Sequence, residues 1–185
     1  MSKKIAIIVG HNSRAQGAVR CTDGKSEFKW NVRLADLIRA HAGGDPDFEV
    51  AIFRRQAGMS YGKQIRGVYA RADAWGADVT IELHFNAAAA ASASYTCTLS
   101  SGTAGSLALS EKLQAAQVAA LGLRDAGVKI RERNGGRGWM SLWTGRAPAA
   151  LIEPYFGSNA RDCILAEKRI EKLAEALYRA ARESV

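Results

Sequence analysis

The chain is poor in the residues that staple or anchor a protein. Its three cysteines, Cys21, Cys97 and Cys163, are far apart and odd in number, which argues against a disulfide framework and against a Cys-x-x-Cys metal site. They are expected as free, half-buried thiols. Long apolar runs are missing as well, and no window approaches the ~18 apolar residues of a membrane span. Behind the charged start Met1-Ser2-Lys3-Lys4, the apolar stretch covers only Ile5 to Val9, whereas an export signal needs roughly 7–15 apolar residues. The expectation is therefore synthesis in the cytoplasm without a secretory signal. No block of roughly five or six like charges marks a nucleic-acid tail, and there is no internal repeat, low-complexity linker or second domain.

What remains is an ordinary globular composition with an unusual charge. A chain of 185 residues is most simply one domain, residues 1–185, burying about 70% of its unfolded surface. Hydrophobic content of 48% and charged content of 24% are typical of globular domains. A net charge of +8 and a pI near 9.7 are not. They suggest a polyanionic partner: nucleic acid, an acidic membrane face, or a bacterial wall bearing carboxylates and phosphates.

Apolar runs at Lys4–Gly10, Phe48–Phe53, Val79–Asn86, Tyr95–Leu99, Val128–Glu132 and Ala150–Phe156 predict strands. Helical spacing predicts helices over about 27–42, 60–75, 106–122 and 162–182. This alternation predicts an α/β protein, a single-domain three-layer αβα fold with a mostly parallel or mixed central sheet of about six strands.

Polar groups at strand ends then stand out. His11 ends the first run, His84 ends Ile81-Glu82-Leu83-His84, and Glu153 ends Ala149-Ala150-Leu151-Ile152-Glu153. In open α/β sheets ligands bind in the crevice beyond the carboxyl ends of the strands. Glu27 opens the first long helix behind a plausible N-cap, Ser26. Its helical neighbours Asn31, Leu34 and Ile38 put it on the apolar stripe, where a carboxylate has to be paired or ligated. His11, Glu27 and His84 make a His-Glu-His set of the kind that holds one zinc and leaves a fourth position open. Nitrogen and oxygen donors with an open position favour zinc over other divalent ions. Glu153 is the candidate general base. Alternation puts Glu82 and Asn86 on the same strand face as His84, so Glu82 either orients the imidazole or pairs with an arginine. Trp139 and Trp143 are candidates to line a substrate groove, with core packing as the plainer role. His41, in the last turn of the first helix, is assigned no role.

Four segments together resemble the type 3 family of zinc-dependent N-acetylmuramoyl-L-alanine amidases. They are Val9-Gly10-His11; Glu27 with Asn31 and Leu34-Ala35; Glu82-Leu83-His84-Phe85-Asn86-Ala87, similar to Ser-Ile-His-x-Asn-Ala; and Pro148 to Asn159, similar to Pro-x-Leu-x-Glu-x-x-Phe-x-Ser-Asn. The resemblance spans essentially the whole chain. It implies one zinc held by His11, Glu27 and His84, a catalytic Glu153, and cleavage of the amide between muramic acid and L-alanine in peptidoglycan. A compact, basic chain without an export signal resembles a phage or prophage endolysin, a monomer that meets the wall after release and needs no nucleic acid. Glu82 departs from the pattern, standing where the family has serine and adding negative charge beside the metal. Tyr95-Thr96-Cys97 occupies a strand where many members carry a glycine.

Two rival functions fit part of this. A zinc carboxypeptidase or endopeptidase would use the same chemistry within the stem peptide. A non-catalytic basic module would bind wall polymer or nucleic acid, with affinity falling steeply with salt.

Overall fold

The computed structural model describes residues 2–185. Six strands, β1 (Lys3–Val9), β2 (Phe48–Arg54), β3 (Val79–Leu83), β4 (Thr96–Ser100), β5 (Asp125–Ile130) and β6 (Ala149–Glu153), form one sheet in the order β2-β1-β3-β6-β4-β5. All neighbours run parallel except β4 and β6, which are antiparallel. Residues Ile5–Val9 and all of β3 are buried, as expected of strands covered on both faces. Helices α1 (Glu27–His41), α3 (Ala104–Leu121), α5 (Ala160–Lys168) and α6 (Ile170–Arg182) lie on one face, and α2 (Tyr61–Trp75) and α4 (Trp139–Trp143) on the other. The architecture is the three-layer αβα arrangement with a mixed sheet.

Local sequence explains most of these elements. The Ser26 hydroxyl accepts from Lys29 N at 3.3 Å and caps α1. The stripe Trp30, Leu34, Ala35 and Ile38 then packs on the sheet. Gly76 and Gly122, with φ of 82° and 68°, end α2 and α3 in the left-handed conformation that glycine adopts without steric cost.

Several expectations shift: the strands expected over Val79–Asn86 and Ala150–Phe156 end at Leu83 and Glu153, and the short α4 is a helix the spacing did not predict. The helix expected over 162–182 is two helices that meet at Arg169, whose φ of −113° and ψ of 14° leave the helical range, and whose guanidinium donates to Leu121 O at 2.8 Å at the end of α3. The strand expected at Val128–Glu132 begins at Asp125, because a register irregularity against β4 lets Gly127 take a φ of 72°. The cysteines are free but not half-buried: Cys21 is exposed, while Cys97 and Cys163 are buried. No described helix is long and apolar enough to cross a membrane.

Sheet order places the chemistry. Strands β1, β3 and β6 are adjacent and parallel, so His11, His84 and Glu153 emerge at one edge of the sheet. β4 runs the other way, and its beginning pairs Cys97 with Glu153.

Candidate active site

His11, Glu27 and His84 come together beyond β1 and β3. One donor atom from each lies within 4.8 Å of the others. His11 Nε2 is 3.1 Å from Glu27 Oε2, and His84 Nδ1 is 2.8 Å from Glu27 Oε1. Backbone amides fix the carboxylate between them: Ala18 N donates to Oε2 at 3.2 Å and Phe85 N to Oε1 at 3.1 Å. Burial alone would raise the Glu27 pKa, but hydrogen bonds from the two histidines outweigh it and hold the carboxyl far below its usual range. Burial likewise disfavours a His84 imidazolium, yet bonds to Glu27 and Glu82 push its pKa up to about 9.

The backbone leaves room for an ion here. His11 has a φ of 65°, unusual for a residue with a side chain, and follows Gly10. A Cβ at Gly10 would lie 2.5 Å from the His84 ring and 2.4 Å from Leu83 O. A Cβ at Gly17, whose φ is 77°, would lie 2.6 Å from Glu27 Oε2 and 2.7 Å from His11 Nε2. Two glycines thus keep side chains out of the cluster. A tetrahedral zinc with bonds of about 2.0–2.2 Å needs donors roughly 3.3–3.6 Å apart. The two imidazole–carboxylate separations, 3.1 and 2.8 Å, are hydrogen-bond distances and fall roughly 0.2–0.8 Å short of that. The donor set fits zinc.

Glu82 does both things its position allowed. Its Oε1 accepts from His84 Nε2 at 2.8 Å and pairs with the Arg55 guanidinium, while Oε2 accepts from Tyr69 Oη at 3.0 Å. Burial would raise its pKa, but Arg55 and His84 hold it well below the ordinary carboxylate value. Arg55, at the end of β2, packs 5.5 Å from the Tyr61 ring. Because Nε2 of His84 faces Glu82, Nδ1 is the nitrogen turned toward Glu27 and the one that would hold a metal. A metal-bound histidine commonly donates its other N–H to a carboxylate, which fixes tautomer and ring orientation.

Glu153 borders the same cavity, of about 470 Å³, lined also by His11, Glu27 and His84. Its Oε2 accepts from Asn86 Nδ2 at 2.9 Å and from Cys97 Sγ at 3.2 Å, and neither bond uses Oε1. Burial, reinforced by the Glu153 charge, pushes the Cys97 thiol up to about 12, so it stays protonated and donates. Trp139 lines the cavity with Arg137 and Tyr61. Trp143 does not: it packs against Leu99, Leu142 and Leu151, and its Nε1 donates to Arg131 O at 2.7 Å. His41 lies far off in the last turn of α1, near Glu171.

The loop that carries this site is tied down at both ends. Asn12 Oδ1 accepts from Arg14 N and Ala15 N, and its Nδ2 donates to Gln64 on α2. Arg20, buried, donates to Cys163 O at 2.9 Å and to Glu167 at 2.5 Å. Sequence reasoning missed Arg55, Tyr69 and Cys97. A signal for Arg55 existed, since a glutamate inside a buried strand requires a cation and Arg54-Arg55 ends the second strand. Cys97 carried none.

Comparisons with known proteins agree with this geometry. The sequence profile of a family described as N-acetylmuramoyl-L-alanine amidase matches residues 5–183. The catalytic domain of CwlV, an amidase of this name from Bacillus (Paenibacillus) polymyxa var. colistinus, is 23% identical with a TM-score of 0.84, covering 98% of this chain and 97% of its own. An amidase of this name from Clostridium difficile 630 is also 23% identical, with a TM-score of 0.83 and coverage of 98% and 96%. The catalytic domain of the CD27L endolysin, which targets Clostridium difficile, is 20% identical with a TM-score of 0.82 and coverage of 98% and 97%. At these identities the structures establish the shared fold. No curated protein sequence matches.

Proposed function

From its membership of the N-acetylmuramoyl-L-alanine amidase family, to which this chain belongs, we infer a zinc hydrolase in which His11, Glu27 and His84 hold the metal and Glu153 moves the protons. Its reaction is hydrolysis of the amide between N-acetylmuramic acid and the L-alanine of the stem peptide in peptidoglycan. The observation that carries the residue assignment is that all four side chains line one cavity at the edge where β1, β3 and β6 end.

When bound, zinc would act as a Lewis acid on the scissile carbonyl and lower the pKa of a water at the site. The protein's own groups supply the rest. Glu153 is held through Oε2 by Asn86 and Cys97, leaving Oε1 to accept a proton from the attacking water and return it to the departing L-alanine amine. Glu27 and His84 are fixed before substrate arrives, Glu27 by two backbone amides and His84 by Glu82, so little reorganisation accompanies the reaction. Trp139, Tyr61 and Arg137 give the cavity an apolar and cationic wall for a glycopeptide.

We take residues 1–185 as one catalytic domain and its action as endolysin-like lysis of the wall. Two measurements test the reading together. Purified protein should carry one zinc per chain, lost in His84→Ala. Sacculi digested by the parent protein should yield intact stems with free L-alanine amino termini by mass spectrometry, and Glu153→Ala should yield none. Shortened stems would instead identify a peptidase, and metal-independent release would overturn the assignment of the site.

A further inference from the structure

We propose that β5 and the loop after it form an anion-binding ramp that takes the free carboxylates of peptidoglycan stem peptides and guides the wall toward the cavity. This rests on the amidase reading and adds a second contact surface to it. Between residues 124 and 137 lie five cations, Arg124, Lys129, Arg131, Arg133 and Arg137, against two acids, Asp125 and Glu132. Asp125 is already engaged, accepting from Gln114 Nε2 at 2.5 Å and Gly127 N at 2.7 Å. Among the described residues none of the five cations pairs with a carboxylate. Some other cations of the fold do: Arg20, Lys25 and Arg33 share Glu167, and Arg55 meets Glu82.

Three of these cations rest on aromatic rings instead. Arg124 and Lys129 lie 4.9 and 4.7 Å from the Tyr95 ring, and Arg133 lies 4.8 Å from the Trp143 ring. A ring face orients a cation without cancelling its charge. Register then gives the row a direction. Lys129 pairs with Leu99, so Lys129 and Arg131 share the sheet face of Leu99, and Leu99 lines the cavity. Arg137 continues the row into the cavity wall beside Trp139. The edge strand thus presents charges that nothing in the fold neutralises, with Arg124 at the end level with Glu153 and Arg137, beyond the strand, in the cavity wall.

Charge complementarity selects the occupant. The amide joins a glycan of uncharged sugars to a stem whose acidic residues and C-terminus carry carboxylates. With that bond in the cavity, the stem is the part that can match an oriented cationic row, and guanidinium groups suit carboxylates in paired geometry. A field of one sign at the mouth also raises the local concentration of an anionic polymer.

The test uses the full chain carrying Glu153→Ala, so that the wall survives the assay. Co-sedimentation with purified sacculi stripped of teichoic acid is compared for three proteins: this parent, Arg124→Glu/Arg133→Glu, and Lys168→Glu/Lys172→Glu. The last pair makes the same change of charge on α5 and α6. The ramp variant should bind about tenfold more weakly than the parent and the control far less so. Arg124→Gln/Arg133→Gln, which removes charge without reversing it, should fall between. Sacculi whose carboxylates have been amidated should hold the parent no better than untreated sacculi hold the ramp variant. Equal losses in the two charge-reversal pairs would overturn the proposal, as would undiminished binding to amidated sacculi or tighter binding to duplex DNA than to sacculi. Stem release by the unaltered enzyme, read separately by mass spectrometry, keeps failure of the ramp distinct from failure of the amidase reading.

Discussion

Replacing Glu82 by serine, the residue the family pattern has there, should separate its two roles. Its side chain is fully buried and that of Arg55 is 4% exposed. The substitution removes one ion pair and two further hydrogen bonds, from His84 at 2.8 Å and Tyr69 at 3.0 Å. Breaking a buried pair while its partner stays in place costs about 3–5 kcal/mol, mostly from the uncompensated charge. For a domain of this size each kcal/mol corresponds to roughly 2–4 °C, so the metal-free protein should melt roughly 6–20 °C lower. His84 also loses the acceptor that orients it, and loss of such a partner typically weakens metal binding about 10–100-fold. Thermal unfolding without metal measures the first effect, and zinc titration against a competing chelator measures the second. Removing the stranded cation as well, in Glu82→Ser/Arg55→Leu, should recover much of the stability but none of the zinc affinity. The reasoning fails if Glu82→Ser melts within about 2 °C of the parent, or if the double variant regains zinc affinity along with stability.

Other substitutions probe the remaining contacts. Gly17→Ala should cost about 1–2 kcal/mol for a side chain at positive φ and should also weaken zinc binding, because its Cβ meets Glu27 and His11. Gly24→Ala, at a φ of 67° with nothing within 4 Å of the new Cβ, should cost the backbone penalty alone, and equal zinc affinities in the two would refute the cradle. Cys97→Ala leaves Glu153 with Asn86 as its only fixed donor and should lower kcat by roughly 10- to 100-fold, the worth of about 1.5–3 kcal/mol for one hydrogen bond to a charged group, with KM and zinc content unchanged. Cys97→Ser keeps a donor and should retain most of the activity; a serine variant as slow as the alanine one would dismiss the thiol's role. Burial favours the neutral form of Glu167, but hydrogen bonds from Arg20 and Arg33 outweigh it and hold its pKa at about 2 instead of 4.5. Its contribution to stability is therefore complete above pH 4.5 and lost as pH falls through 2. Denaturation midpoints followed over that window should fall less steeply for Glu167→Gln than for the parent.

Periodicity and strand ends made most of the fold and the centre of the site legible. Val79, Ile81, Leu83 and Phe85 alternate into the core on the face opposite His84, and Glu27 sits on the buried stripe of a helix whose serine cap is visible locally. What sequence could not give were contacts made across long separations. Arg169, at the junction of the two C-terminal helices, donates to the Leu121 carbonyl at the end of α3, 48 residues away. Cys97 meets Glu153 only because β4 reverses direction beside β6, and strand direction is not written in a five-residue apolar run. Trp139 and Trp143 look alike in sequence, yet one turn of α4 puts the first in the cavity wall and the second over the hydrophobic cluster on that sheet face.

The glutamate at position 82 shows how a local departure becomes intelligible in three dimensions. Read along the chain, it adds a negative charge beside a metal centre that already has Glu27. In the fold Arg55 cancels that charge at the same oxygen that His84 approaches. The pair therefore presents His84 with an oriented acceptor but almost no net charge, whereas Glu27, buried among imidazoles and backbone amides, keeps its full charge for the ion. Glu82 takes the Nε2 proton of His84, so Nδ1, beside Glu27, is the nitrogen that would be free to hold a metal once its own proton is lost.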